Sequence, residues 1–136
     1  MPGYNEFLEA ETAAKMMSNM LPSDGTDTSG ASWEPIGLTA NNLSGHLAAL
    51  AKVTTGSQKE LAEELKATAD QLVQAVLKIS LLDQARLAAA DEDAANALIE
   101  QASPELATTR AAVTGFIGQF DRFDQAKLKR KRFIFG

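Results

Sequence analysis

Glu60, Glu63 and Glu64 form the densest group of potentially reactive side chains, because all three fall within about one helical turn. A di-metal centre in a helical bundle needs Glu-x-x-His pairs from facing helices, which a chain with one histidine cannot supply. The chain has no cysteine, which excludes thiol catalysis, disulfides, iron–sulfur clusters and Cys/His zinc sites. We interpret the glutamates as a solvated face paired with Lys59 and Lys66, and we expect no metal and no cofactor.

His46 is the only histidine in the chain, and histidine is the side chain best suited to proton or phosphoryl transfer near neutral pH. Histidine phosphotransfer domains are small helical bundles with one reactive histidine on a helix. They usually show a lysine and a glycine soon after it, whereas His46 is followed by Leu-Ala-Ala-Leu. His46 also lies three residues after Leu43, on an apolar helical stripe. We favour a packed or interface histidine and keep phosphotransfer as an alternative.

Gly115 and Gly118 lie inside the last helical pattern of the chain. Their Gly-x-x-Gly spacing matches a loop that clamps nucleic acid, but the surrounding pattern is helical. Each glycine costs about 1 kcal/mol relative to alanine within a helix. We take both as candidates for close helix packing, and tolerance inside a well-packed bundle explains them equally well. The sequence has no glycine-rich phosphate loop, nucleophile elbow or metalloprotease motif, and we predict that the protein is not an enzyme.

Residues 127–136, here called the basic-aromatic tail, form the most distinctive segment, Lys-Leu-Lys-Arg-Lys-Arg-Phe-Ile-Phe-Gly. The preceding 126 residues hold eight basic and all 18 acidic residues, so their net charge is -10, whereas the tail carries +5. A run of cations does not fold alone, and exposed bulky apolar side chains mark interaction sites. We therefore assign partner binding to Lys127, Lys129, Arg130, Lys131, Arg132, Phe133, Ile134 and Phe135.

Four interpretations of the basic-aromatic tail remain open. In the first, its cations steer it onto an acidic protein surface and its aromatic side chains fill pockets or add a strand. In the second, the tail folds back on its own bundle, with its cations near a helix C-terminus. In the third it contacts the phosphates of nucleic acid, and in the fourth it binds an anionic membrane surface. We rank them in this order.

Apolar residues recur at helical spacing along most of the chain. The first helix is predicted over 5–21, and Pro22 ends it. The stretch 22–37 has no periodicity and reads as a polar loop. Trp33 and Ile36 are its large apolar residues, so we expect both to dock on an apolar surface and take Trp33 as an interface residue. Thr39 then caps the second helix.

The longest uninterrupted pattern runs from Ser57 to about Ala90. A capping box of Ser57 and Glu60 starts it, and about 34 residues predict a rod of roughly 50 Å. A rod this long in a chain of 136 residues indicates that part of it lies beside another subunit or another helix pair. Asp91 can cap a short helix after the rod, and Ser103-Pro104-Glu105 predicts one more helix start.

These elements predict an all-α bundle of four or five helices with a long central helix. We expect an N-terminal helical arm over 1–21, a polar linker over 22–37, the bundle over 38–126 and the basic-aromatic tail over 127–136. A composition of 45% hydrophobic and only 6% aromatic residues favours helices packed at close range.

The sequence is best explained by a non-catalytic structural or adaptor subunit of a larger assembly, virion-like or secretion-type, which acts through helix packing and a docking tail. One alternative is a nucleic-acid-associated regulatory protein that uses the tail, and the other is the phosphotransfer-like bundle. We expect protein partners, as a homo-oligomer or a larger complex, ahead of nucleic acid and a membrane. No apolar run approaches the ~18 residues of a membrane span and we recognise no secretory signal, so we expect a cytoplasmic or virion location.

Overall fold

A computed structural model describes residues 3–22 and 32–129 of the chain. These residues form α1 (Tyr4–Met20), α2 (Trp33–Val53), α3 (Gly56–Leu87), α4 (Glu92–Gln119) and α5 (Gln125–Lys129), with a 3₁₀ turn at Phe120–Arg122. The prediction of an all-α bundle with four or five helices and a long central helix is confirmed. Most of the predicted linker, residues 23–31, and the tail residues from Arg130 to Phe135 lie outside the described residues.

The four long helices form a closed ring, in which α1 packs on α2, α2 on α3, α3 on α4, and α4 on α1. The prediction of a separate arm over 1–21 is therefore corrected, because α1 is one of the four helices of the bundle. Phe7, Ala10, Ala14 and Met17 are buried along its apolar face. Separating α1 would expose this face, together with the faces of α2 and α4 that it covers.

The predicted apolar stripes become the core of the bundle. Helical spacing predicts one apolar face on the first helix and one on the last, and every residue of both is buried: Phe7, Ala10, Ala14, Met17 and Leu21, and Leu106, Val113, Phe116, Phe120 and Phe123. In α2, Leu43, Leu47 and Leu50 are buried, whereas His46 and Val53 lie toward its surface. The buried residues of α3 are Leu61, Ala62, Leu65, Ala69, Leu72, Val76 and Ile79.

The start of α2 differs from the prediction. Helix α2 begins at Trp33, so Thr39 is an interior residue that donates a hydrogen bond to the Pro35 carbonyl at 2.9 Å rather than a cap. Pro35 is compatible with this because a proline in the first turn loses no helical hydrogen bond. Trp33 is only 5% exposed, in the core of its own chain. Its side chain packs on an apolar surface as predicted, but that surface belongs to its own chain. The assignment of Trp33 as an interface residue is therefore corrected.

Two further helix starts were predicted after the central helix, and the structure has one. The Asp91 side chain accepts a hydrogen bond from the Ala94 backbone N–H at 2.8 Å, as its assignment as a cap requires. Helix α4 then continues through Pro104 without ending. The Ser103 hydroxyl donates to the Ile99 carbonyl at 3.1 Å within the same helix rather than capping a new one.

A polar network links α2 to α3. Asp70 accepts hydrogen bonds from the Lys66 ammonium at 2.7 Å and from the Ser44 hydroxyl of α2. These two hydrogen bonds, with that from Lys66 as the larger influence, lower the pKa of Asp70 below its usual value.

The role of α1 in the bundle can be tested at Phe7, which is 1% exposed and packs edge-on against Phe120 and Phe123. Phe7→Ala should lower the free energy of unfolding by about 3–5 kcal/mol, the usual loss for a buried phenylalanine. Urea unfolding followed by circular dichroism measures it. A loss below about 1 kcal/mol, within the usual range for surface substitutions, would show that α1 is an arm.

Candidate functional site

Helices α3 and α4 extend beyond α1 and α2 at one end of the bundle. With 32 residues α3 is about 48 Å long, whereas the 21 residues of α2 give about 31 Å. A Cβ built at Gly37, near the start of α2, lies 3.9 Å from Val76 of α3. The N-terminal end of α2 therefore lies close to the level of Val76. The buried core stops there as well, at Ile79 on α3 and Ala102 on α4.

The projecting part consists of residues 80–101, here called the hairpin tip. All of these residues are described, and none of them is buried. Leu81 is 55% and Leu87 71% exposed, and Leu77, one turn before Leu81, is 48% exposed. Within residues 3–22 and 32–129, no third element covers the apolar side chains of this two-helix hairpin, so the tip presents them to solvent. Leu82, Leu98 and Ile99 are only half-buried for the same reason.

The hairpin tip is also acidic. It contains five carboxylates and one cation, Arg86, for a net charge of -4. Arg86 already pairs with Asp83 through Nε and Oδ1 at 2.9 Å, and Asp91 caps α4. Among the described residues, no ion pair involves the other three carboxylates of the tip, those of Glu92, Asp93 and Glu100. The tip therefore combines exposed leucines with unpaired negative charge.

The described start of the basic-aromatic tail packs on its own bundle. Lys127 and Lys129 lie on α5 and are exposed, while Leu128 between them is 1% exposed. The Lys129 ammonium lies 4.9 Å from the centre of the Tyr4 ring, at cation–π distance. Residues 127–129 thus match the fold-back interpretation. The assignments of Arg130, Lys131, Arg132, Phe133, Ile134 and Phe135 remain predictions.

Gly115 and Gly118 lie on the exposed side of α4. A Cβ built at either glycine has no atom of the described chain within 4 Å beyond its own helical surroundings. Within the described residues neither glycine lies against a neighbouring helix, so the prediction of close helix packing has no support there. The alternative, tolerance in a packed bundle, agrees with this geometry.

His46 lies beside a groove between α1 and α2, with Leu8, Met16 and Thr12 along it. Its Nδ1 is 3.2 Å from Glu9 Oε2, and its side chain is 35% exposed. The described residues that line the groove include a carboxylate and no lysine or arginine. A phosphoryl group on His46 would therefore face a negative charge without a balancing cation. Phosphotransfer stays a prediction that this geometry does not favour.

Two kinds of site are missing from residues 3–22 and 32–129. No three or more His, Asp or Glu side chains there are grouped so that they could hold a metal ion. None of the helices in these ranges combines the length and the apolar character that a membrane span requires.

Comparisons with known proteins add no identification. No protein family, no curated protein and no solved structure matches the chain. Function must therefore be argued from the geometry of the bundle.

Sequence reasoning did not single out the exposed leucines Leu77, Leu81 and Leu87. The signal was present in the length of the central helix, which led us to expect that part of it lies beside other helices. The length of the helix does not show which of its residues project, because tertiary packing sets the level at which α2 stops covering α3.

The two glycines of α4 provide a test of their environment. Gly115→Ala should raise the free energy of unfolding by about 0.5–1 kcal/mol, because alanine restricts the unfolded chain and meets open space in the helix. Gly118→Ala should gain less, since Gly118 lies in the last turn of α4. Urea unfolding measures both. A loss of stability in either variant would show that the glycine is in close contact with another element.

Proposed function

We propose that the protein is a non-catalytic structural subunit that self-associates, with the hairpin tip as its main docking surface. The observation that carries this proposal is the run of 22 residues, 80–101, in which no side chain is buried although Leu81 and Leu87 are large and apolar. Isolated exposed leucines are common on protein surfaces. Leu81 and Leu87 lie where the core has ended and Leu77 lies one turn before Leu81, and three exposed leucines on one helix support an interaction surface instead.

Docking would complete the packing that the bundle itself leaves unfinished. Over Gly56 to Ile79, α3 lies between α2 and α4, and its apolar face is buried. Beyond Ile79, α4 is the only described helix beside it. Another protein segment at the tip would remove the leucines from water at about 25 cal/mol per Å² of apolar surface. A helical assembly can use such a surface to join subunits.

The non-catalytic part of the proposal is supported by the chemistry of the same surface. Leucines and unpaired carboxylates bind partners, but they do not place a nucleophile beside a base. For the setting we propose the cytoplasm or a virion-like particle, where a small helical subunit can join a larger assembly.

The proposal is tested by light scattering on the purified full chain over a concentration series. The wild-type protein should form oligomers, and Leu81→Lys/Leu87→Lys should shift it to the monomer, because two charges would have to be buried at the interface. The dissociation constant should rise at least about 30-fold, the effect of losing an interface hot spot.

Leu38→Lys is the matched control. Leu38 is a 62% exposed leucine on α2, outside the hairpin tip, so this change also adds a surface cation. The control variant should assemble like the wild type, and circular dichroism should show all variants folded. A wild-type chain that stays monomeric, or a tip variant that assembles unchanged, would contradict the proposed function.

A further inference from the structure

We infer that the hairpin tip of one chain is occupied by the basic-aromatic tail of a second copy, so that subunits join head to tail. This inference rests on the proposed function, since it names the partner of the same surface. It brings together two features that stand out by their charge and their apolar side chains. These are the exposed, acidic hairpin tip and the cationic, apolar residues that follow Lys129.

Charge favours this pairing over a tip-to-tip contact. The hairpin tip carries -4 and the tail +5, so contact between them is attractive, whereas two tips together would repel each other. Glu92, Asp93 and Glu100, which have no ion pair within the described residues, provide carboxylates for Arg130, Lys131 and Arg132.

The apolar parts of the two segments also complement each other. Phe133, Ile134 and Phe135 directly follow the cations, just as Leu81 and Leu87 lie among the carboxylates of the tip. The other segment to consider as an occupant is residues 23–31, which connect Pro22 to Ser32 in the chain. It contains two aspartates and no apolar side chain larger than that of Ala31, so it matches neither the charge nor the leucines.

Distance requires that the tail come from another copy. The backbone N–H of Asp124, just before α5, donates to Gln58 at 3.2 Å, so the tail starts beside the first turn of α3. From Gln58 to Leu81 the helix rises about 34 Å, and to Leu87 about 44 Å. Counted from Asp124, α5 adds about 8 Å and the six residues from Arg130 to Phe135 add at most about 22 Å when fully extended, so Phe135 lies at most about 30 Å away. The tail therefore does not reach its own hairpin tip.

Within the reach of its own chain, the tail meets a poorer surface. Glu60 and Glu63 on the first turns of α3 supply negative charge there. Around this end and along α1, the exposed large apolar side chains are Leu8, Met16 and Val53, at 38%, 50% and 39% exposure. Leu81 and Leu87 of the hairpin tip are more exposed, at 55% and 71%, so the tip has more apolar surface for the tail to cover. The hairpin tip of another copy supplies both charge and apolar surface.

A head-to-tail contact uses two different patches on each subunit, and it can be tested by complementation. The tip variant Leu81→Lys/Leu87→Lys retains an intact tail, and the tail variant Phe133→Ser/Phe135→Ser retains an intact tip. Each variant alone should be monomeric by light scattering. A 1:1 mixture should form heterodimers that grow no further, because it contains one intact pair of surfaces.

The outcomes separate this inference from the proposed function. If the tail variant assembles like the wild type while the tip variant does not, the tip docks something other than the tail, and only this inference fails. The same holds if both variants are monomeric and their mixture forms no dimer. If the wild-type chain does not assemble at all, the proposed function fails together with the inference.

A charge swap tests the electrostatic part with a matched control. Lys131→Glu/Arg132→Glu should weaken assembly at least about tenfold, whereas Lys52→Glu/Lys59→Glu changes the net charge equally on exposed positions of α2 and α3 and should leave assembly within about twofold. Equal weakening by both pairs would show that net charge alone governs assembly and would overturn the docking of the tail.

Discussion

In a helical bundle each helix buries its apolar face only over the length that it shares with its neighbours. Here the lengths differ, since α1 and α2 have 17 and 21 residues and α3 and α4 have 32 and 28. The four helices are level at the end of the bundle where the chain passes from α2, at Val53, into α3, at Gly56. The surplus length therefore projects at the opposite end, as the hairpin tip, and the incomplete burial of its leucines follows from this mismatch.

The two ends of the bundle are consequently different environments. The level end is closed by aromatic packing, in which the Phe7 ring lies 5.9 Å from that of Phe120 and 5.5 Å from that of Phe123. These side chains hold α1 to the end of α4 and let the short helix α5 pack beside them. At the projecting end, Leu81 and Leu87 are exposed among the carboxylates of the hairpin tip. In the proposed head-to-tail assembly, this asymmetry gives one subunit different surfaces for its two neighbours.

Much of the fold could be predicted from sequence, because buried positions recur every three or four residues whatever the partner helix is. That period identified Phe7 and Val113 as core residues. It could not show that Trp33 begins a helix, because the polar residues before it indicate a loop. The burial of Trp33 depends on tertiary packing, which the spacing of apolar residues does not describe. Nor could the period locate the hairpin tip, since Leu82 continues the spacing of Val76 and Ile79 but is only half-buried, at a level where α2 no longer lies beside α3. The charge of the tail is plain from composition, but the acidic hairpin tip that we propose as its docking surface is visible only in the folded bundle.

Hydrogen exchange of the backbone amides, measured at several protein concentrations, tests most directly whether the hairpin tip lacks a core until it is docked. The account predicts that amides of residues 80–101 exchange faster than those of residues 61–79 in dilute protein, because fewer buried contacts oppose local opening. As subunits assemble, the tip amides should gain protection while the body of the bundle changes little. Tip amides as protected as the core in the monomer, and unchanged by concentration, would contradict it.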